Sequence, residues 1–436
     1  MEQTQIMILP ANHPLRQTLN DEVHARPPEE LRAPCSISYL ALFTDRVARE
    51  EGGLRIGELA KRYNAVLPAE GVNHYSANLG PFRVKWERHS EFTRYEFIIE
   101  KDENPPFSDP PIKAVPQDWI ESLPGSLLVA ANIMVAQTGP ASPNLDEISR
   151  QYFAGNTLVG AVVSSGAARA FTDFRLHDDG FSRILVQDLT LTPRQAGRAV
   201  QRLVEIDSYR MMALLALPVA QELGPALNAW ERELVEITST MVGAGETDEP
   251  LLLDRLTRLE AEIESKRAAS AYRFSAAGAY YDIVLRRIVE LREERIQGLQ
   301  TFQEFMERRL EPAMSTCTAS TARQEALSTR VSRAMSMLST KVDVTLEKQN
   351  QAVLASMDRR AKLQLRLQET VEGLSVAAIT YYIVGLVGYA AKAAHADGFE
   401  VNPELVMGLA IPVVAGAVAY GLSRFRARLA ADESKH

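Results

Sequence analysis

Cysteine is nearly absent: Cys35 and Cys317 are the only two in 436 residues. Two thiols build neither a disulfide framework nor a zinc site, and they suit a reducing cytosol. A basic excess is missing as well, with 48 Lys and Arg against 56 Asp and Glu. No positive face stands out for a phosphate backbone, so nucleic acid is not an expected partner. The first residues (MEQTQIMILPANHP) have neither a basic n-region nor a long apolar stretch, and do not read as a signal peptide. Glycine is too sparse around Gly155 and Gly160 to make a phosphate loop. Catalytic constellations are missing too. In Trp86-Glu87-Arg88-His89-Ser90-Glu91 the acid–base residues alternate along a strand and point to opposite faces. No nucleophile, base and orienter assemble there, so an enzyme is not expected and no cofactor is implied.

What is present is a long apolar end. Gly373–Ala391 and Leu405–Ser423 are each 19 residues without a charge, separated by the 13 mostly polar residues 392–404. At 1.5 Å per residue each run covers about 28 Å, close to a hydrocarbon core. One such run could be the buried helix of a soluble protein; two in close succession read as a membrane hairpin, with a lipid bilayer as partner. Arg359, Arg360, Lys362 and Arg366 precede the first run and Arg424, Arg426 and Arg428 follow the second. The loop between them sets Lys392 against Asp397, Glu400 and Glu404. This bias places both termini in the cytosol and the loop outside.

The expected fold class is an α+β membrane protein: a mixed α/β cytosolic domain, a long helical stalk and two C-terminal transmembrane helices. Residues 1–34 read as a capping segment. His13, Asp21, Glu22 and His24 there could serve a metal or anion, but satisfying buried backbone groups is the preferred reading. Residues 35–190 read as the α/β domain, with a β-rich run at Ser36–Phe43, helical spacing over Glu50–Val66 and successive strands at Asn73–Ala77, Arg83–Glu87 and Arg94–Glu100. Leu127–Val135 reads as a central strand, followed by strands at Thr157–Val163, Ala168–Leu176 and Phe181–Asp188, the last two joined by the turn His177-Asp178-Asp179-Gly180.

Thr192-Pro193 is a helix start, and residues 191–319 read as a long hairpin: one helix over Pro193–Val242, a second over Leu251–Leu310 ended by Pro312. Residues 320–372 form the stalk, 373–391 and 405–423 the spans, 392–404 the outer loop, and 424–436 a basic tail. In the stalk, Leu327, Val331, Leu338, Val342 and Val353 make a loose seam broken by Lys341, Thr345, Gln349 and Gln351. A dry coiled coil wants sustained apolar a and d positions, so the seam suits a helix beside a wet axis or one packed on its own hairpin. Ser375, Tyr382 and Tyr389 recur at seven-residue intervals in the first span, with Gln368 below them, and share one helix face. Tyr389 lies where interfacial tyrosines collect anyway; Tyr382 is near mid-span, where polar groups turn to a bundle interior or water. These three are the candidate pore-lining residues. Two helices cannot enclose a channel, so a pore requires an oligomer, and repetition about an axis would turn Asp397, Glu400 and Glu404 into cation-attracting rings. Ala378, Gly385, Gly408, Gly416 and Ala419 are small enough for close helix contact.

Two resemblances follow. HPL…LNDEVHARP near the start, GGLRIGEL at Gly52–Leu59 and GPFRVKWERHSEF at Gly80–Phe92 resemble a bacterial membrane-anchored family known by a domain of unknown function, number 3422. That resemblance runs over nearly the whole chain and implies anchoring, with no activity attached. The order of parts resembles the CorA family of divalent-cation channels, which implies a homo-oligomer, pentameric in that family, in a bacterial inner membrane. It further implies a pore lined by stalk and first span, an outer loop that gathers cations, and a divalent cation as the transported ion. Asn402-Pro403-Glu404-Leu405 is similar to the Met-Pro-Glu-Leu of the CorA outer loop, which carries the cation-gathering role to Glu404. The Gly-Met-Asn that ends the CorA first span has no counterpart; Gly388-Tyr389-Ala390 stands nearest. The expected function is thus a CorA-like cation channel or transporter. The alternative is a non-conducting membrane-anchored scaffold of the same plan.

Overall fold

Strands β1 (Cys35–Phe43), β3 (Arg83–Arg88), β4 (Phe92–Ile99) and β5 (Ser126–Gln137) are buried along most of their length on both faces, in a computed structural model of the chain. It describes residues 10–17, 19–20, 27–101, 105–141, 144–243, 248–396 and 402–433, with side chains as far as Arg424. The chain divides into two units, each taken by itself: Met1–Val242 with Asp254–Met335, and Gly243–Leu253 with Ser336–His436.

The first unit is built on a sheet. With β2 (His74–Asn78), β6 (Val159–Val163), β7 (Ala168–Thr172), β8 (Ser182–Asp188) and β9 (Glu294–Arg295), the order is β2-β3-β4-β1-β5-β8-β7-β6-β9. Neighbours are antiparallel except β5 and β8. Helices α1 (Arg46–Arg62) and α2 (Gln117–Glu121) supply Ile56, Leu59 and Trp119 to one face, where they meet Leu40, Leu42, Val84, Trp86, Tyr95 and Phe97. Trp119 stands edge-on to Tyr95 and Phe97, with ring centres 5.8 and 6.1 Å apart, a favourable aromatic geometry. Helix α3 (Leu145–Phe153) adds Ile148 and Phe153 to a second apolar cluster with Phe171 and Leu185. Helix α4 (Pro193–Leu214) packs over the opposite face across β5. It opens with a capping box between Thr192 and Gln195 and with Pro193 at its first position.

The helices after α4 are cut differently from the expectation. The single helix expected over Pro193–Val242 is two, α4 and α5 (Ala216–Gly243), with the step at Leu215. Pro218 has no N–H for the Leu214 carbonyl one turn back, and its ring crowds that oxygen. The second expected helix, Leu251–Leu310, is also two. Helix α6 (Glu249–Leu291) ends where Arg292 turns left-handed at φ 51°. The two-residue β9 then joins β6, and Gly298 at φ 88° turns the chain towards α7 (Phe302–Arg309). Helix α7 opens on its own capping box, Thr301 with Glu304. Pro312 ends no helix; it lies in the first turn of α8 (Glu311–Ala396), where a missing N–H has no partner to lose. Helix α8 runs 86 residues without a break. Its start is not beside a wet axis: Leu327 and Val331 are buried, Ser328 donates to Glu260 of α6 at 2.8 Å, and Arg323 pairs with Glu231 of α5 at 2.9 Å.

Residues 27–34 strap the sheet to α4. Leu31 N–H donates to the Pro193 carbonyl at 3.1 Å, Arg83 to the Glu30 carbonyl at 2.9 Å, and Lys85 to the Pro27 carbonyl at 3.2 Å. A Cβ on Gly197 would fall 1.7 Å from the Glu29 carbonyl oxygen, so the strap lies directly on that helix turn. His13 takes the Leu15 amide on Nδ1, a local backbone contact; Asp21, Glu22 and His24 lie outside the described residues.

In the second unit, α8 continues from Ser336, and Lys341 pairs with Glu249 at 2.8 Å. Helix α9 (Pro403–Glu433) carries Pro412 internally, which leaves the Gly408 carbonyl without its helical donor. Among the described residues two helices are long and apolar enough to cross a membrane, one ending at Ala396 and one spanning Pro403–Arg424. Their apolar windows are 17% and 0% buried within the protein, unlike the core helix of a soluble fold.

Gly197→Ala tests the strap. Alanine improves helix propensity by about 1 kcal/mol, but the overlap with Glu29 forces the strap off at a cost of roughly 2–4 kcal/mol. Thermal unfolding of the detergent-purified chain should show a lower Tm, with residues 27–34 newly open to protease. A Tm equal to or above wild type would contradict the contact.

Candidate functional site

Two regions concentrate chemistry. The first is the α4 side of the sheet at β3 and β4. Alternation sends Trp86 and Tyr95 to the α1 face, and Lys85, Glu87, Arg94 and Glu96 to the other. On a sheet open to water the second set would be a solvated face. Here α4 covers it, and all four residues are at least 93% buried. Glu87 is the hub: Lys85 Nζ stands 3.0 Å from one carboxylate oxygen, and Arg94 and His89 (3.5 Å) approach the other. Arg94 also reaches Glu205 of α4 at 3.4 Å, and Glu205 is held in turn by Arg287 of α6. Arg287 pairs with Glu290 at 2.9 Å. Beside this chain Tyr39 and Ser208 share a hydrogen bond of 2.6 Å, and Ser182 donates to Asp207 at 3.3 Å. Glu91 accepts from Tyr280 at 2.7 Å and pairs with Arg273. The sheet is thus tied to both helices through charge.

Burial alone would push the Glu87 carboxyl up, but Arg94, His89 and Lys85 outweigh it and hold the group well below the carboxylate range. Glu205 behaves alike under Arg94 and Arg287. Glu96 runs the other way: burial dominates its partners Lys85 and Arg94 and raises it. The Cys35 thiol is buried and pushed up to about 12 by desolvation, the condition of an inert core thiol. Among the described residues no group of three or more His, Cys, Asp or Glu could hold a metal ion. Through Arg94, Glu205 and Arg287 the cluster ties the sheet to α4 and α6 as a charged clamp.

The second region is the hairpin of the second unit. Thr380, Val384, Gly388 and Ala391 follow one another by four, four and three residues and share a face of α8. Thr380, Val384 and Ala391 are buried, and a Cβ on Gly388 would meet Met407 of α9 at 2.6 Å. Gly388 is thus the residue that admits the second helix. Gly385, Gly408 and Gly416, expected for close contact, have nothing within 4 Å of a Cβ. Tyr382 is two places from Thr380 and from Val384, Tyr389 one from Gly388 and two from Ala391; at about 100° per residue both point well away from the middle of this face, and they are 72% and 76% exposed. Ser375 is half-buried and returns its hydroxyl to the Val371 carbonyl at 2.8 Å. Tyr381, Tyr382 and Tyr389 rim an open groove of 810 Å³ completed by Met407 and Ile411. Glu404 stands in the first turn of α9, its amide on the Asn402 side chain at 3.1 Å. Asp397 and Glu400 lie outside the described residues.

The clamp was not anticipated from sequence, since its signal is charge on the expected outer face of two strands with partners more than a hundred residues away. It makes a pH-dependent prediction. Arg94→Met takes one buried cation from both Glu87 and Glu205, leaving them to Lys85 and Arg287, and should cost about 3 kcal/mol at neutral pH. Because Glu87 and Glu205 are lowered in the fold, their contribution is present above the unfolded carboxylate value of about 4.3 and fades as the pH falls below it. Glu96 is raised, so Glu96→Gln should match or exceed wild-type Tm at pH 8. Melting curves from pH 3 to 8 check both signs; a destabilised Glu96→Gln at pH 8 would contradict the assignment.

Comparison with known proteins adds one match. Residues 11–429 fit the profile of a family described as protein of unknown function (DUF3422). No curated protein and no solved structure matches the chain. The match covers nearly all of the sequence, and the chain belongs to the DUF3422 family.

Proposed function

We propose that the protein is an oligomeric bacterial inner-membrane protein of CorA-like plan. In this reading the first span of each copy lines a shared axis that passes cations, and both termini lie in the cytosol. The observation that carries the reading is the division of faces on α8. The side holding Thr380, Val384, Gly388 and Ala391 is taken by the second helix of the same chain. The side holding Ser375, Tyr382 and Tyr389 is left for other copies. Steps of three, four and, from Gln364 to Met357, seven residues extend that side downwards through Val371, Gln368, Gln364, Met357 and Leu354, with Val371, Met357 and Leu354 more than half exposed. The Tyr382 hydroxyl at mid-span is expensive against lipid and suits a wetted axis. Lysines and arginines flanking the spans, against the acidic Glu404 end, support that orientation. Asp397, Glu400 and Glu404, multiplied by symmetry, gather cations at the outer mouth, and a divalent ion fits the CorA resemblance.

A second reading is a scaffold with a closed axis. It is favoured by the aromatic bulk at mid-span, where the Tyr381 and Tyr382 rings meet edge-on at 5.8 Å.

Proteoliposomes separate the two. The channel reading expects flux of at least one of magnesium, cobalt, zinc or potassium, lowered severalfold by Glu404→Lys and raised by Tyr382→Ala. No flux from an intact oligomer, with Tyr382→Ala alone conducting, supports the scaffold. No flux from any variant removes the channel.

A further inference from the structure

We infer that the first unit holds an anion site at the start of α1 that takes a phosphate group carrying about two negative charges. Arg46 and Arg49 of α1 and Arg88 at the end of β3 line one open cavity of about 400 Å³, with Asn73, His89 and Glu50 completing the wall. That volume suits a small metabolite or a headgroup.

The argument rests on where the neighbouring acids go. Asp45, at the α1 N-cap, accepts the Ala48 amide at 2.8 Å. Glu87 is held by Lys85 and Arg94, and Glu91 by Arg273 and Tyr280. Glu50 is the one carboxylate on the cavity wall. Three guanidinium groups against one carboxylate leave a surplus of two positive charges, in a chain whose net charge is -8. Farther along α1 the arginines are matched: Arg55 pairs with Glu51 at 2.8 Å and Arg62 with Asp118 at 2.6 Å. Among the described residues Arg46, Arg49 and Arg88 have no ion-pair partner of this kind.

The site is also set in advance. Arg88 donates through Nε and Nη2 to the Asn73 side chain at 3.0 and 2.6 Å, and its amide donates to the Asn73 carbonyl at 2.8 Å. One guanidinium is thereby fixed with its remaining edge free, while Arg46 and Arg49 reach in from one helix turn. Guanidinium forks match phosphate oxygens in pairs, and an edge fixed beforehand loses less entropy on binding. The chemistry is the same whether the phosphate belongs to a soluble metabolite or to an anionic lipid. This inference does not depend on whether the hairpin conducts.

Calorimetric titration of the full chain in detergent at about 50 mM salt tests it. The probes are pyrophosphate, ATP and a short-chain phosphatidic acid, whose terminal phosphate can carry two charges, dispersed in the same detergent. At least one should bind, and the double variant Arg46→Gln/Arg49→Gln should weaken it by about tenfold or more. Neither arginine holds the fold, so its Tm should stay at wild type. Glu50→Gln, which removes the opposing charge, should tighten the same probe severalfold. Binding of pyrophosphate or ATP assigns a soluble ligand; binding of the lipid alone assigns a headgroup. No binding by wild type, or equal binding by wild type and the double variant, overturns the site.

Discussion

Uncovered apolar surface is the constraint from which the rest follows. Leu374, Leu386, Leu405, Leu409 and Val413 of the hairpin are each 63–74% exposed on the single chain. Covering a side chain of this size is worth about 1.5–3 kcal/mol, so these five alone approach the whole stability of an ordinary domain, about 5–15 kcal/mol. In the proposed reading, acyl chains would cover this surface on the outside of a bundle, and neighbouring copies would cover the face that carries hydroxyls. Bilayer insertion and self-association would then be two consequences of one deficit, divided by which side of α8 is polar.

The first unit solves the reverse problem. It buries charge, and apart from Glu96 it does so in matched groups. Lys85, Glu87, Arg94, Glu205 and Arg287 alternate in sign from strand to strand to helix, so each carboxylate meets a cation before it loses water. A pair of this kind adds little net stability over an apolar equivalent but penalises any arrangement that separates it. It thus fixes how α4 and α6 sit on the sheet within this unit. Apolar packing on the other face, around Trp119, carries the stability, while the charged face carries the register. Arg46, Arg49 and Arg88 are among the cations left outside this matching.

Much of the fold was legible. The β1, β3 and β5 strands lie within two residues of their expected bounds at nearly every end because β-branched and aromatic residues cluster there between turn signals. The 86-residue α8 was legible as a stalk running unbroken into the first span. The helix breaks at Leu215 and Leu291 were missed although their signals were present: Pro218 one turn after the first, and Gly298 with the Thr301-to-Glu304 cap after the second. A two-residue strand such as Glu294–Arg295 leaves no periodicity to find. For the site, spacing put Ser375, Tyr382 and Tyr389 on one face, but only the packed structure identified Gly388 as the contact with the second helix. The charged clamp stayed hidden because alternating Lys85 and Glu87, or Arg94 and Glu96, spell a solvent face unless a distant helix is known to cover it.

Disulfide trapping in native membranes is the most direct measurement of the central claim, because both native thiols are buried and contribute little background. Single cysteines go in place of Ser375, Tyr382 and Tyr389 on one face, and of Thr380, Val384 and Ala391 on the other. The account predicts that oxidation links separate copies at the first three positions and not at the last three, in a protein that only detergent releases from the membrane. Links between copies at Val384→Cys equal to those at Tyr382→Cys, or release of the chain by alkaline carbonate alone, would contradict it.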